Sequence, residues 1–224
     1  MHGPRTRKRR ERTITGNRQA SWAFAERYVD EVDALTVARS RARAAGIRAV
    51  SSGAGSALRL LAATADAKAV AEIGTGFGVS GIHLLQGMRR DGVLTTVDTE
   101  PDRLQLAKQA FVAAGFAANR ARLIPGPALE VLPRLTDGGY DLVFCDGDRA
   151  EYPDYLAESL RLLRPGGLVC FSGVFAEGRA LDAAHQHPDL KALREVVRLV
   201  RDSELLVPAL LPTGDGLLCA VKRH

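Results

Sequence analysis

Apolar positions along the chain fall into short unbroken runs separated by stretches of helical periodicity. The runs Ala69–Ile73, Leu94–Asp98, Arg122–Pro125, Tyr140–Asp146 and Leu168–Ser172 predict buried strands. Between them, spacings of three and four residues predict helices from Val79 to about Arg90, from Pro101 to Gly115, around Ala128–Leu135 and from Pro153 to Leu163. Pro101 suits a first helical position and Gly115 a C-terminal cap. Leu104, Ala107, Phe111 and Ala114 form the stripe of that helix expected to be buried. An Arg-Pro-Gly-Gly turn precedes Leu168. After a helix from Pro188 to about Arg201, the runs Leu205–Leu211 and Gly216–Lys222 flank Pro212-Thr213-Gly214-Asp215, which predicts a hairpin. The whole pattern predicts an α/β domain: a mostly parallel sheet, right-handed crossovers and an antiparallel edge.

Ahead of this alternation, residues 19–45 read as one helix, with Trp22, Ala25, Val29 and Val32 on its apolar side. That stripe is expected to cover either the mouth of the domain or a second subunit. Gly46 ends the helix, a loop follows, and Ala54–Ala65 forms a second helix leading into the first strand. The expected organisation is a basic disordered tail over residues 1–18 and a single domain over 19–224, with N-terminal helices at 19–65 and the α/β core at 66–224.

Charge sharpens this division. Of 31 Lys and Arg and 26 Asp and Glu, six and one fall in residues 1–12, leaving 25 of each for the rest. The net +5 therefore belongs to the tail, and no aromatic residues are interleaved with it to stack on bases. Nucleic acid is not the expected partner. No apolar run approaches the roughly 18 residues of a membrane span, and the N-terminus lacks the apolar stretch of a secretory signal. Cys145, Cys170 and Cys219 fall in predicted core strands and are odd in number, which reads as buried free thiols in a reducing compartment, the cytoplasm by default.

Candidate chemistry gathers at strand ends, where ligands bind in such sheets. The first strand carries Glu72, a carboxylate that needs a partner to justify burial, and runs into glycines at 74, 76 and 78. Glycine permits positive φ and close approach of a ligand to the main chain, and the N–H groups opening the next helix favour an electron-rich partner. Asp98 closes the second strand about twenty residues on, where an acid can accept both hydroxyls of a ribose; its other reading is a cap for the helix at Pro101. Gly76-Phe77-Gly78-Val79-Ser80-Gly81 also spells the dinucleotide fingerprint, so an NAD-dependent oxidoreductase is one alternative. The acid placed before the glycines, the terminal hairpin and the lack of a hydride-transfer set all weigh against it.

EIGTGFGVSGIHLL, VDTEP, YDLVFCDGDRAEYPDY, LLRPGG and LLPTGDGLLCAVK, in this order, resemble the catechol O-methyltransferase-like family of class I S-adenosylmethionine (SAM)-dependent methyltransferases, in particular its small bacterial O-methyltransferases. The resemblance runs from about Val50 to the hairpin. It implies a Rossmann-like seven-stranded sheet of order 3-2-1-4-5-7-6 with the last strand antiparallel, SAM as cofactor, a small-molecule acceptor and a homodimer. It places the cofactor against Val50, Glu72, Gly74, Thr75, Gly76 and Ser80 at the methionine end, Asp98 and Thr99 at the ribose, Gly126 and Ala128 at the adenine, and Asp146 beside the sulfonium.

The same resemblance implies a divalent cation, usually Mg²⁺, held by an Asp ending the fourth strand and an Asp-Asn pair ending the fifth, with a nearby Lys as general base. Asp146 fills the first place, but Ser172-Gly173 stands at the pair and Arg149 at the lysine. A hydroxyl is a poor Mg²⁺ ligand beside a carboxylate, and arginine is not deprotonated at neutral pH. Val197 also stands where relatives carry Asn. Three readings follow. One is a metal-independent O-methyltransferase with Asp146, Asp148, His185 or His187 as base, acting on a hydroxyl of a small molecule, aromatic acceptors included. Another is a SAM-binding homologue without catalysis, with Arg149 anchoring an anion. The third is a metal site rebuilt with Asp148 or Glu177.

Overall fold

The computed structural model describes residue 17, residues 19–182 and residues 184–224. The basic segment expected as a disordered tail lies outside the described residues except for Asn17. Helical residues 19–25 (α1) are followed by α2 (Asp33–Ala44) and α3 (Ser52–Thr64). The core then runs β1 (Ala69–Ile73), α4 (Val79–Gly87), β2 (Val93–Asp98), α5 (Pro101–Ala113), β3 (Ala121–Pro125), α6 (Ala128–Val131), β4 (Tyr140–Cys145), α7 (Tyr152–Leu162), β5 (Leu163–Ser172), α8 (Pro188–Asp202), β6 (Leu206–Leu211) and β7 (Leu217–Lys222). The seven strands form one sheet in the order β3-β2-β1-β4-β5-β7-β6, with β7 antiparallel to both neighbours, as expected.

Side-chain alternation along the strands divides the core between the two faces. Leu142 and Phe144 of β4 join Leu168 and Cys170 of β5 under α3, α4 and α5. Val143 and Cys145 join Val169 and Phe171 on the opposite face, under α7 and α8. The stripe of α5 buries Leu104, Ala107 and Phe111 as expected, with Ala110 added and Ala114 at the margin. The three cysteines are free and buried in β4, β5 and β7. Among the described residues no helix is long and apolar enough to cross a membrane.

Three local expectations are corrected. The single helix over 19–45 breaks into α1 and α2, because residues 26–32 leave the helix and Val32 is extended at ψ 154°. Glu26 explains where the chain goes instead: its carboxylate accepts from Gly53 N at 3.0 Å, Gly214 N at 2.7 Å and Thr213 Oγ1 at 2.9 Å, pinning the segment to the hairpin tip and the start of α3. The stripe does not cover the domain's own mouth, since Trp22, Ala25 and Val32 are exposed and Val29 is only half-buried. Finally, Arg164–Gly167 belongs to β5, but as a bulge: Tyr140 faces Leu163 and Leu142 faces Leu168, so the four residues loop out of the ladder.

Candidate active site

The site is built where β1, β2 and β4 end together. Gly74 leaves β1 at φ +91°, and a Cβ there would lie 2.4 Å from the backbone oxygen of Asp146. Only glycine lets these two strand ends touch. Gly74 N then bonds Val97 O at 2.9 Å, and the loop crosses to α4. Asp98 closes β2 and fastens the loop from the other side: Oδ2 accepts from Gly76 N at 2.8 Å and Oδ1 from Glu100 N at 3.0 Å. It therefore braces both the glycine loop and the chain just ahead of α5, and each oxygen keeps a further lone pair.

These elements enclose a cavity of about 410 Å³. Of the eleven positions expected to meet the cofactor, ten line it: Val50, Gly74, Thr75, Gly76, Ser80, Asp98, Thr99, Gly126, Ala128 and Asp146. Glu72 does not. Strand alternation turns it to the α4 face, where it is fully buried beneath the cavity wall. Its Oε2 accepts from Thr96 Oγ1 at 2.6 Å, Thr96 Oγ1 meets Thr75 Oγ1 at 2.6 Å, and its Oε1 has no hydrogen-bond partner among the described residues. Burial pushes its carboxyl up to about 7; the hydroxyls of Ser80 and Thr96 pull the other way, and Asp146 and Asp98 add to the rise.

Asp146 stands between this cavity and a second one of about 540 Å³, also walled by Arg48, Ser51, Arg149, Ser172, Gly173 and Asp215. Burial pushes the Asp146 carboxyl up to about 7, against the Ser172 hydroxyl and the charges of Arg149 and Arg48. A carboxylate poised near neutrality, at the junction of two cavities, can take a proton from a hydroxyl.

The donors around Asp146 do not fit a divalent cation. Gly173 has no side chain to offer, and the Arg149 guanidinium lies against it: a Cβ at 173 would be 2.4 Å from Arg149 Nη2. A fixed positive charge here repels a metal ion, and among the described residues no three His, Cys, Asp or Glu side chains gather to hold one. The proposed substitutes are committed elsewhere. Asp148 accepts from Ala150 N at 2.9 Å and caps a short turn, although it borders the first cavity. Glu177 pairs with Arg48 at 2.6 Å. His185 and His187 are exposed, beside Asp182 and Asp189, and line neither cavity. Val197 packs against the core.

Several lining residues were not singled out from sequence. Arg103, 3.8 Å from Asp98, sits one turn into α5 on the cavity side. Arg48 stands in the loop before Val50, and Asp215 at the hairpin tip reads in sequence only as a turn residue. Asp215 gathers Arg48 Nη1 at 3.4 Å, Arg149 Nη2 at 3.5 Å and Glu177 N at 2.7 Å. Such convergence of three distant segments leaves no spacing to read.

The family model described as O-methyltransferase matches residues 21–223. A protein of Mycobacterium tuberculosis strain H37Rv, named a "probable O-methyltransferase", is 50 % identical over 204 residues, 91 % of each chain. Among solved structures, the O-methyltransferase TomG of Streptomyces achromogenes, involved in tomaymycin synthesis and solved with SAM, superposes with a TM-score of 0.82 at 28 % identity, over 92 % of this chain and 99 % of that one. Cofactor-bound Rv0187 from MTB superposes with a TM-score of 0.81 at 31 % identity, over 90 % and 95 %. With a family match over nearly the whole chain and the same strand order and strand-end cavity that its motifs implied, the chain belongs to the O-methyltransferase family.

Proposed function

We propose that this chain transfers a methyl group from SAM to a hydroxyl of a small molecule, without a divalent metal. The carrying observation is the pair of cavities that meet at Asp146, one lined by the glycine loop and Asp98, the other walled by arginine where the metal pattern is lost. SAM supplies a methyl group on a positively charged sulfur, open to in-line displacement. The SAM-bound TomG complex supports that cofactor, and the cavity has the chemistry for it.

Val50, Gly74, Thr75, Gly76 and Ser80 hold the methionine portion; Asp98, with Thr99 beside it, takes the ribose hydroxyls; Gly126 and Ala128 border the adenine. Glu72 acts from behind the wall, fixing Thr96 and through it Thr75. Ionised Asp146 faces the cofactor's cation, and it accepts the proton of the acceptor hydroxyl as the methyl group is transferred. Positioning supplies most of the remaining rate. The acceptor enters over the hairpin tip, the loop before α3 and Gly173.

A second copy is the fitting cover for the exposed Trp22, Phe24 and Tyr28, and a reducing compartment such as the cytoplasm suits the three free thiols. The test is calorimetry with S-adenosylhomocysteine (SAH), followed by methyl transfer to a panel of hydroxylated acceptors in EDTA. Binding of SAH with turnover in EDTA supports the reading. Retained NAD(H) without SAH affinity overturns the cofactor, and SAH binding without turnover across the panel makes this a non-catalytic homologue.

A further inference from the structure

The second cavity differs from a metal site at two contacting positions that fit each other in space. A Cβ on Gly173 would lie 2.4 Å from Arg149 Nη2 and 3.6 Å from Nε, so the edge of the guanidinium occupies the volume a side chain at 173 would need. Gly173 also has φ +67°, a conformation that favours glycine. The arginine and the glycine therefore work as one unit, which sets a planar cation into the wall beside Asp146.

That cation is underused. The Arg149 side chain is 25 % exposed, and its only hydrogen bond to the described residues runs from Nη2 to Asp215 Oδ2 at 3.5 Å, the long limit of such a bond. Asp215 does not depend on it, because Oδ1 accepts from Glu177 N at 2.7 Å and Oδ2 also faces Arg48 Nη1 at 3.4 Å. Arg48 is spent on Glu177 and Asp215. Arg149 thus keeps most of its five N–H donors for a ligand, in the fork geometry that matches a carboxylate.

We infer that Arg149 receives a carboxylate carried by the acceptor and turns the acceptor's hydroxyl toward Asp146, so that the substrate is an anionic hydroxy acid. This inference rests on the methyltransferase reading above. A single negative charge suits the site better than a phosphate dianion, because Asp146, Asp215 and Glu177 stand nearby and, among the described residues lining the cavity, one cation is free to answer. Arg149 then fixes the substrate's orientation as a metal would, but by recognising a group other than the reacting oxygen.

The test titrates 3,4-dihydroxybenzoate and catechol, which differ only in the carboxylate, into SAH-saturated protein in EDTA. The carboxylate compound should bind at least about tenfold tighter, the scale of one charge-assisted bidentate pair. Arg149→Gln should erase that preference while leaving SAH affinity in place, and Arg149→Lys should restore part of it. SAH binding to each variant serves as the check on folding. Equal affinity for the two probes, a preference that survives Arg149→Gln, or no saturable binding of 3,4-dihydroxybenzoate up to about 10 mM overturns the inference and leaves the cofactor reading standing. Failure of the wild-type protein to bind SAH takes down both.

Discussion

The two cavities share one carboxylate and are built on different principles. The first is made of strand ends and the backbone of a glycine loop, braced by Asp98 and underlain by the buried Glu72. The second is made of loops and a hairpin tip drawn together by charged side chains from residues 26, 48, 149, 177 and 215. A pocket of backbone tolerates little change at its wall. A pocket of long side chains on loops can change its chemistry while the sheet beneath stays the same. Here one half keeps the pattern its family resemblance implied and the other exchanges a metal's ligands for a guanidinium.

The largest effect expected from this contrast is at Gly74. Gly74→Ala puts a Cβ 2.4 Å from the Asp146 backbone in a positive-φ position, so the strand ends must separate. We expect loss of SAH binding by calorimetry and a stability loss of roughly 3 kcal/mol or more in denaturant unfolding. Gly76→Ala, also at positive φ but with nothing within 4 Å of the added Cβ, should cost only about 1–2 kcal/mol. Equal effects at the two positions would show that crowding at the strand ends is not what the first cavity rests on.

Next in size is Asp146→Asn. Losing the base should lower kcat/KM by about 10²–10⁴, while affinity for SAH, whose sulfur is neutral, changes little and affinity for SAM, whose sulfur is cationic, falls. In the wild type, kcat/KM should rise with pH through about 7, where Asp146 ionises. A flat profile from pH 5 to 8 would remove Asp146 from the proton's path.

The smallest effect concerns Glu72. Its carboxyl is raised from 4.5 to about 7 in the folded protein, so the native state holds a proton that the unfolded chain releases between these values. The associated stability is fully present below about pH 4.5 and is lost as pH rises through about 7. Glu72→Gln keeps the shape and removes the titration. It should stabilise the cofactor-free protein at pH 8 by on the order of 2–3 kcal/mol and reduce the pH dependence of Tm between pH 5 and 8, leaving the share that Asp146 contributes. An unchanged slope would mean that Glu72 is ionised throughout.

The same contrast decides how far the sequence could be read. The strand–helix alternation, the glycine loop and the acids that close strands were legible because their determinants are local; the strand order and the rest of the first cavity's lining came from the family resemblance. Glu72 was read as a cofactor contact and lies behind the wall instead. The step missed was alternation along β1, which turns Glu72 away from the side that Ala71 and Ile73 share. The break at 26–32 was illegible because its cause, Glu26 reaching the hairpin tip, spans about 190 residues of chain, as the 188-residue separation from Gly214 records. The second cavity showed in sequence as departures at Arg149 and Ser172-Gly173. What those departures make together is a packing fact, and only the contact of Arg149 with the space over Gly173 reveals it.

The central claim is that methyl transfer here runs without a divalent metal, with arginine holding the acceptor in its place. The most direct measurement is a calorimetric titration of Mn²⁺, and then Mg²⁺, into SAH-saturated protein. The account predicts no saturable binding to the wild type. Saturable binding that disappears in Asp146→Ala would contradict it and return the metal to the site.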